Sequence, residues 1–359
     1  MEKNKCQKMI REENARKILR LLVNEGQLSR ISIAEKAGLS PSTVTQIITP
    51  LLQENVVEEF KEEKSTGGRK PVLLRLSKDY GHILIFEVTN IGINAYQYNL
   101  HKELTGSSAV HNSSLSGQDL YKCIVKYVRY LQQEEEIPVI QIGILIQEDL
   151  NKNAGVVMFS SEYGSEPYSL EYAVSNRLKI PVVKNTMKSI SFEHYVNKEM
   201  DALYESYGYL TIGNSVTASI TMNRKKVEIA GETSFDVTPL LTEDVLLHNV
   251  KMHMDERIDG VHAVETIKEP EKEKDSQNQI LMLARVINIL YVLFPVKILF
   301  LGGEENRISE KDVKKLSAIF DGKLKVKKWE SKKTGVTDQF AQKLLENFIP
   351  NIVIKTSIC

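Results

Sequence analysis

LSRISIAEKAGLSPSTVTQIITPLL, running from Leu28 to Leu52, is the stretch whose reading decides this chain. Val44, Ile47, Ile48, Leu51 and Leu52 fall at i, i+3, i+4, i+7 and i+8, one apolar stripe of an α-helix. Ser42, Thr43, Thr45, Gln46 and Thr49 are left on its other faces. Ser40 can cap the helix through its hydroxyl, and Pro41 suits the first helical position, where a missing N–H has no helical partner to lose. Upstream, Ile33, Ala34 and Ala37 make a short apolar face, and Gly38 permits a tight turn between the two helices. The pair reads as a helix-turn-helix. Short hydroxyls and one carboxamide at the leading end of the second helix suit a surface that meets phosphates and base edges in a major groove. The plainer alternative is an amphipathic helical hairpin with a polar outer face.

The flanks favour the first reading. Asn14 to Gly26 has Ala15, Ile18, Leu19 and Leu22 at helical spacing, with Gly26 placed to end the helix. After Leu52, VVEEF and PVLLRL are two strand-like runs joined by KEEKSTGGRK, the pattern of the β-hairpin wing of a winged helix. Pro50 removes one backbone hydrogen bond inside the second helix, and a kink or an early end is expected there. The DNA-contacting residues expected are Ser40, Ser42, Thr43, Thr45 and Gln46 on the helix and Arg69 and Lys70 in the wing.

At 359 residues and 42% hydrophobic, the chain is long enough for two or three domains with a sizeable core. Its net charge is zero, but residues 1 to 80 carry 15 Lys/Arg against 11 Asp/Glu, so the front is mildly basic. Glu58, Glu59, Glu62 and Glu63 on the wing argue against a strongly basic face, so DNA affinity must come from focused contacts. Cys6, Cys123 and Cys359 are far apart and odd in number, which suggests neither a disulfide framework nor a CxxC metal site. A charged N-terminus is unlike a signal peptide, and a reducing cytoplasm is the expected location. VINILYVLFPVKILFLGG is interrupted by Asn288, Pro295 and Lys297 below membrane-spanning length. It reads as a buried helix stopping at Pro295, then a buried strand Val296 to Leu301, and no membrane association is expected.

Behind the wing, His82 to Val88, Ile93 to Leu100 and Thr105 to His111 form a strand meander. Leu120 to Gln133 has helical spacing, and Val139 to Ile146 is a continuous apolar run like a buried strand. Gln147 to Pro167 reads as irregular. A helix Leu170 to Leu178, a strand Pro181 to Lys184 and a helix from Met187 towards Met200 come next, then strands Tyr209 to Ile212 and Ala218 to Met222. Glu265 to Gln279 reads as a solvated loop and helix entry.

This order of elements, with GGRKP at Gly67 to Pro71 and a late strand ending in Leu301, Gly302 and Gly303, resembles the ROK family, which joins repressors and sugar kinases. The resemblance covers essentially the whole chain and is greatest to the repressor branch, the xylose-operon and N-acetylglucosamine repressors. It implies an α/β fold in which an N-terminal winged helix-turn-helix (1–79) precedes a two-lobed actin-like, ribonuclease H-like domain of the sugar kinase/ATPase type (80–359). The lobe boundary is expected near 185, with a C-terminal helix returning to the first lobe.

The family's chemistry is missing from the matching positions. Phosphate binding in this fold needs glycine-rich turns, where backbone N–H groups can approach a polyphosphate. The family's D-x-G-x-T turn aligns with Glu87, Val88, Thr89, Asn90 and Ile91. Its G-T-G-x-G-x-G turn aligns with Gly213 to Ser219, where only the first glycine remains. Glu304 follows Gly302 and Gly303 where a third glycine is common. The N-D-A-N motif that supplies the kinases' catalytic base reads Asn185, Thr186, Met187 and Lys188, and threonine cannot be that base near neutral pH. G-E-x-G-H becomes Gly231, Glu232, Thr233, Ser234 and Phe235, so the family's zinc-binding histidine is a phenylalanine, and C-x-C-G-x-x-G-C is absent. His248, His253 and His262 fit no strong metal motif.

Of the sugar site, Asn185 and Glu232 remain as possible ligand-binding residues, each with a structural alternative: a helix cap for Asn185, a structural ion pair for Glu232. The expectation is a catalytically inactive DNA-binding regulator, a repressor, of carbohydrate-related genes. It should be homodimeric on a double-stranded operator and responsive to a sugar-like effector, with no cofactor and no metal. A sugar kinase with relocated catalytic groups and an effector-independent dimeric scaffold are the alternatives.

Overall fold

The computed structural model describes residues 2–60, 72–147, 150, 156–161, 164–199, 205–212, 216–229, 234–241, 271–303, 308–329 and 335–355. Its first elements are α1 (Glu2–Glu25), β1 (Gln27–Ser29), α2 (Arg30–Ala37), α3 (Pro41–Gln53), β2 (Val57–Phe60) and β3 (Leu73–Leu76). β3 lies between β1 and β2 and is antiparallel to both, so the wing has a strand, β1, that was too short to show a period in sequence. α1 is also longer than the Asn14–Gly26 pattern suggests, because its first half carries no apolar stripe. Gly26 ends it with φ 78° and Gly38 ends α2 with φ 65°, both in the left-handed region that glycine enters without steric cost.

A meander follows: β4 (His82–Val88), β5 (Ile93–Tyr98) and β6 (Leu104–His111), then α4 (Gly117–Glu134) and β7 (Val139–Ile146). The segment expected to be irregular instead holds an antiparallel hairpin, β8 (Val156–Ser161) with β9 (Gly164–Ser169). Its second strand contains Gly164 and Pro167, which sequence reading takes as breakers but which the outer edge of a hairpin tolerates. α5 (Leu170–Leu178), β10 (Val182–Thr186) and α6 (Met187–Glu199) come next. Among the described residues the strands of this sheet run β10-β7-β4-β5-β6, with β10, β7 and β4 parallel.

The remaining strands are β11 (Tyr207–Ile212), β12 (Val216–Met222), β13 (Lys225–Lys226), β14 (Phe235–Asp236), β15 (Ile298–Gly303) and β16 (Lys325–Lys328). The helices after α6 are α7 (Glu271–Leu293), α8 (Glu310–Ile319) and α9 (Val336–Lys355). β11 pairs antiparallel with β12 and parallel with β15, which pairs parallel with β16. The expected helix-proline-strand is present, with α7 stopping two residues before Pro295.

The chain divides into two compact units, residues 1–194 with 333–359, and residues 195–332. In the first, the pleat of the sheet sorts its side chains by period two. Ile83, Ile85 and Tyr98 face one way, into a core shared with Ile18, Leu22, Ile47 and Ile48 of the winged helix and with Phe340 and Leu344 of α9. Leu84, Phe86 and Val88 face the other way, onto α4 and α5. The passage from winged helix to sheet near residue 79 is therefore a change of architecture without a gap in packing. Gly143 lets α9 approach β7: a Cβ there would lie 2.5 Å from Leu344 and 2.7 Å from Phe340. In the second unit, Ile287 and Leu290 of α7 and Leu316 of α8 cover the face of the sheet that carries Leu210, Ala218 and Leu299.

Candidate nucleic-acid interface

Helix α3 is held from behind and open in front. Val44, Ile47, Ile48 and Leu51 are buried, whereas Ser42, Thr45 and Gln46 are exposed and Thr43 half-buried. The apolar stripe thus sets the rotation of the helix and leaves the polar row to solvent. Ser40 is the N-cap, its Oγ accepting from the Thr43 amide at 3.1 Å, and it also lies 2.8 Å from the hydroxyls of Ser42 and Thr43. Thr45 donates its hydroxyl to the Pro41 carbonyl at 2.9 Å, which fixes its rotamer and leaves the oxygen's lone pairs facing outward. Ser40, Ser42, Thr43, Thr45 and Gln46 are gathered on this one helix, as the spacing implies. Arg69 and Lys70 lie outside the described residues.

Pro50 does not end α3 early; the helix runs on to Gln53. Proline's missing N–H would have bonded the Gln46 carbonyl, four residues back. Arg11 of α1 reaches that carbonyl with its Nη2 at 3.5 Å, so the orphaned acceptor has a partner from another helix. Nothing in sequence linked Arg11 to α3, 35 positions away. The acidic wing is also less repulsive than its sequence suggests. Arg30 pairs with Glu59 at 2.9 Å, and Arg75 pairs with Glu58 at 2.6 Å while lying over the Phe60 ring.

A second region carries the sequence's other candidates. Because β4, β7 and β10 are parallel and in register at Val88, Ile146 and Thr186, their carboxyl ends share one edge, where ligands bind in open α/β sheets. The turn after β4 is closed upon itself. Thr89 Oγ1 accepts from the amides of Ile91 at 3.4 Å and Gly92 at 3.2 Å and donates to the Gly92 carbonyl at 3.0 Å. The Asn90 amide donates to Gln147 Oε1 at 3.3 Å. The amides of this turn are thus taken by side chains, Thr89 from within it and Gln147 from the end of β7. Glu87 is held as well, accepting from Tyr96 at 3.0 Å and Asn94 at 3.4 Å. Burial, then that carboxylate, push the Tyr96 hydroxyl above its ordinary range, which keeps it a donor.

At the end of β10, Asn185 is half-buried and its Oδ1 accepts from the Thr186 amide at 3.3 Å. The helix cap considered for Asn185 is provided by its neighbour: Thr186 Oγ1 accepts from the Ser189 amide at 3.3 Å. Thr186 therefore serves to start α6. Phe235, at the position of the family's histidine, tilts against Phe294 at 6.4 Å between centroids and packs on the core of the second unit. Gly302 has a packing reason: a Cβ there would lie 2.7 Å from the Tyr209 hydroxyl and 3.0 Å from Trp329. Glu232, His248, His253 and His262 lie outside the described residues. Among the described residues, His, Cys, Asp and Glu form no group able to hold a metal ion, and no helix is long and apolar enough to cross a membrane.

Residues 11–58 match the winged helix-turn-helix DNA-binding family. The chain is 23% identical over 207 residues to the DNA-binding transcriptional dual regulator NagC of Escherichia coli, an alignment covering 54% of this chain and 49% of that protein. The chain thus spans about half the length of that relative. It is 21% identical over 310 residues to the xylose repressor of Lactiplantibacillus pentosus, covering 80% of this chain and 79% of that one. Its fold is that of a ROK family transcriptional regulator, a homolog of the E. coli MLC protein, with a TM-score of 0.60 at 14% identity over 96% of this chain and 99% of the other. A winged helix in front, a fold shared over nearly the whole length and a repressor among the relatives make this chain similar to the regulators of the ROK family.

Proposed function

We propose that this protein is a DNA-binding transcriptional repressor of sugar-related genes that acts without catalysis. The observation that carries the proposal is the contrast between the exposed polar row of α3 and the closed turn at Thr89. The first offers the exposed Gln46 carboxamide and the outward lone pairs of Thr45 to a base edge, and the second offers no free amide to a phosphate. The protein works as a homodimer in the cytoplasm. One recognition helix reads too few base pairs for specificity, whereas two-fold symmetry doubles the contacts on a palindromic operator. A sugar-like effector binds at the carboxyl edge of the sheet, with Asn185 among its contacts, and the xylose repressor among the relatives favours that class of ligand.

The helix and the wing should fail differently. Gln46 can pair bidentately with an adenine edge, so Gln46→Ala costs about 1 to 3 kcal/mol on the cognate operator and leaves random duplex binding nearly unchanged. Arg69→Ala with Lys70→Ala weakens both DNAs alike and lowers the log–log salt slope by roughly 1 per lost phosphate contact. Both variants must keep the parent melting temperature. If titrations at several salt concentrations show Gln46→Ala weakening both DNAs equally, or the wing variant binding like the parent, the assignment is wrong.

A further inference from the structure

The face of the first unit's sheet opposite the winged helix carries a groove of about 1190 Å³ between α4 and α5. Its walls hold Lys122, Lys126 and Arg129 from α4 and Arg177 and Lys179 from the end of α5 and its cap, and among the described residues the lining has no Asp or Glu. The whole chain is neutral, so this is a segregation of charge. Lys122 has Asp119 at 3.9 Å and Lys179 bonds Asn176 at 2.8 Å. Among the described residues Lys126, Arg129 and Arg177 have no carboxylate partner. Glu171, the acid on α5, turns to Lys184 at 3.6 Å. Val125 and Ala173 form a buried apolar floor, and Tyr121, Tyr130, Tyr168 and Tyr172 stand around it.

We propose that this groove docks an acidic amphipathic helix of a partner protein. On α4, positions 122, 126 and 129 repeat at i, i+4 and i+7, the spacing at which carboxylates recur along one face of a second helix. Cations on both walls match acids on both edges of such a helix, while its apolar ridge rests on Val125, Ala173 and the tyrosine rings. Tyr and Arg are the side chains enriched where interfaces concentrate their binding energy. Other anions fit less well. The sides of helices offer no free backbone amides, so a lone phosphate has no cradle. Tyr168 and Tyr172 stack on each other, centroids 5.6 Å apart and 15° between planes. Each ring gives one face to the other, which disfavours a run of stacked bases.

The test uses the full chain and a fluorescein-labelled peptide of about 18 residues, with Leu and Tyr on one helical face and Glu on both edges. A proline-interrupted peptide of equal charge and an oligothymidylate serve for comparison. At about 50 mM salt the helical peptide should bind, and more salt should weaken it. Reversing three charges (Lys126→Glu, Arg129→Glu, Arg177→Glu) should weaken it at least about tenfold, with the Gln triple standing in if the reversal does not fold. Tyr172→Ala should weaken the helical peptide several-fold and leave the proline-interrupted one unchanged. Absent peptide binding, binding indifferent to both triple variants, or equal effects of Tyr172→Ala on both peptides would overturn the proposal. Tighter, charge-dependent capture of the oligothymidylate would assign the groove to single-stranded nucleic acid instead.

Discussion

The tip of α3 and the turn from Thr89 to Gly92 are both short, polar and hydroxyl-bearing, yet they direct their hydrogen bonds oppositely. On α3 one hydroxyl, that of Ser40, caps the backbone, while Ser42 and Gln46 remain exposed to water. In the turn, Thr89 and Gln147 consume the amides of Asn90, Ile91 and Gly92. A polar group facing water exchanges its partner for a ligand at little cost, whereas one bonded internally must first break what it has. The comparison shows how a polar turn becomes part of the scaffold: side chains take up the backbone amides that a ligand would need.

The largest expected effect breaks the support that both regions share. Leu344 is fully buried in the core common to the winged helix and the sheet, so Leu344→Ala should cost about 2 to 5 kcal/mol. Hydrogen exchange should then rise together in α3 and in β4. Unchanged protection of α3 would show that the winged helix stands on its own. A smaller effect separates the two regions. Thr89→Val keeps the shape and removes the hydroxyl, leaving two amides without their acceptor at a cost of about 1 to 3 kcal/mol, with operator affinity unchanged. Urea melts and operator titrations of that one variant read both numbers, and lost DNA binding at full folding would mean the turn is not mere scaffold.

ATP sharpens the same contrast. Mg-ATP should leave the melting temperature unmoved in the parent and in Thr89→Gly, since Glu87 stays held by Tyr96 and Asn94. A saturable rise in either protein would show a working nucleotide site, because a ligand that binds only the folded state stabilises it. The smallest effect lies away from both regions, in the capping box of α8. Although burial pushes the other way, hydrogen bonds from the Ser309 hydroxyl and backbone, with Lys315 and Lys311 nearby, hold the Asp312 carboxyl below its usual range. Its contribution is full above the ordinary Asp value of about 3.9 and is lost as pH falls through the lowered folded value. Asp312→Asn should therefore lower stability slightly near neutrality and flatten the acid limb of the stability curve, with parent and variant converging at low pH.

Much of this was legible in sequence where one element carries its own signal. The stripe of α3, its Ser40 cap, the run of β7 and the ends of α5 depend on residues within a few positions of one another. β1 was missed because three residues show no period, and β9 because Pro167 reads as a breaker until an edge is known. The role of Thr186 was half visible: the residue type excludes a base, but the choice between it and Asn185 as cap depends on where β10 ends and α6 begins.

By itself the sequence determined the helices of the winged helix and most strands and helices from β4 to β12, since periodicity and capping are local, and its resemblance to the family marked the residues that replace the kinase motifs. Only the tertiary structure decided what those residues do instead. Arg11 answers the carbonyl that Pro50 orphans, Gln147 closes an amide 57 positions away, and α9 returns to bind the winged helix and the sheet into one core. Each of these pairings joins distant parts of the chain, and a polar or apolar group takes its partner from whatever folding brings near, which no local pattern records.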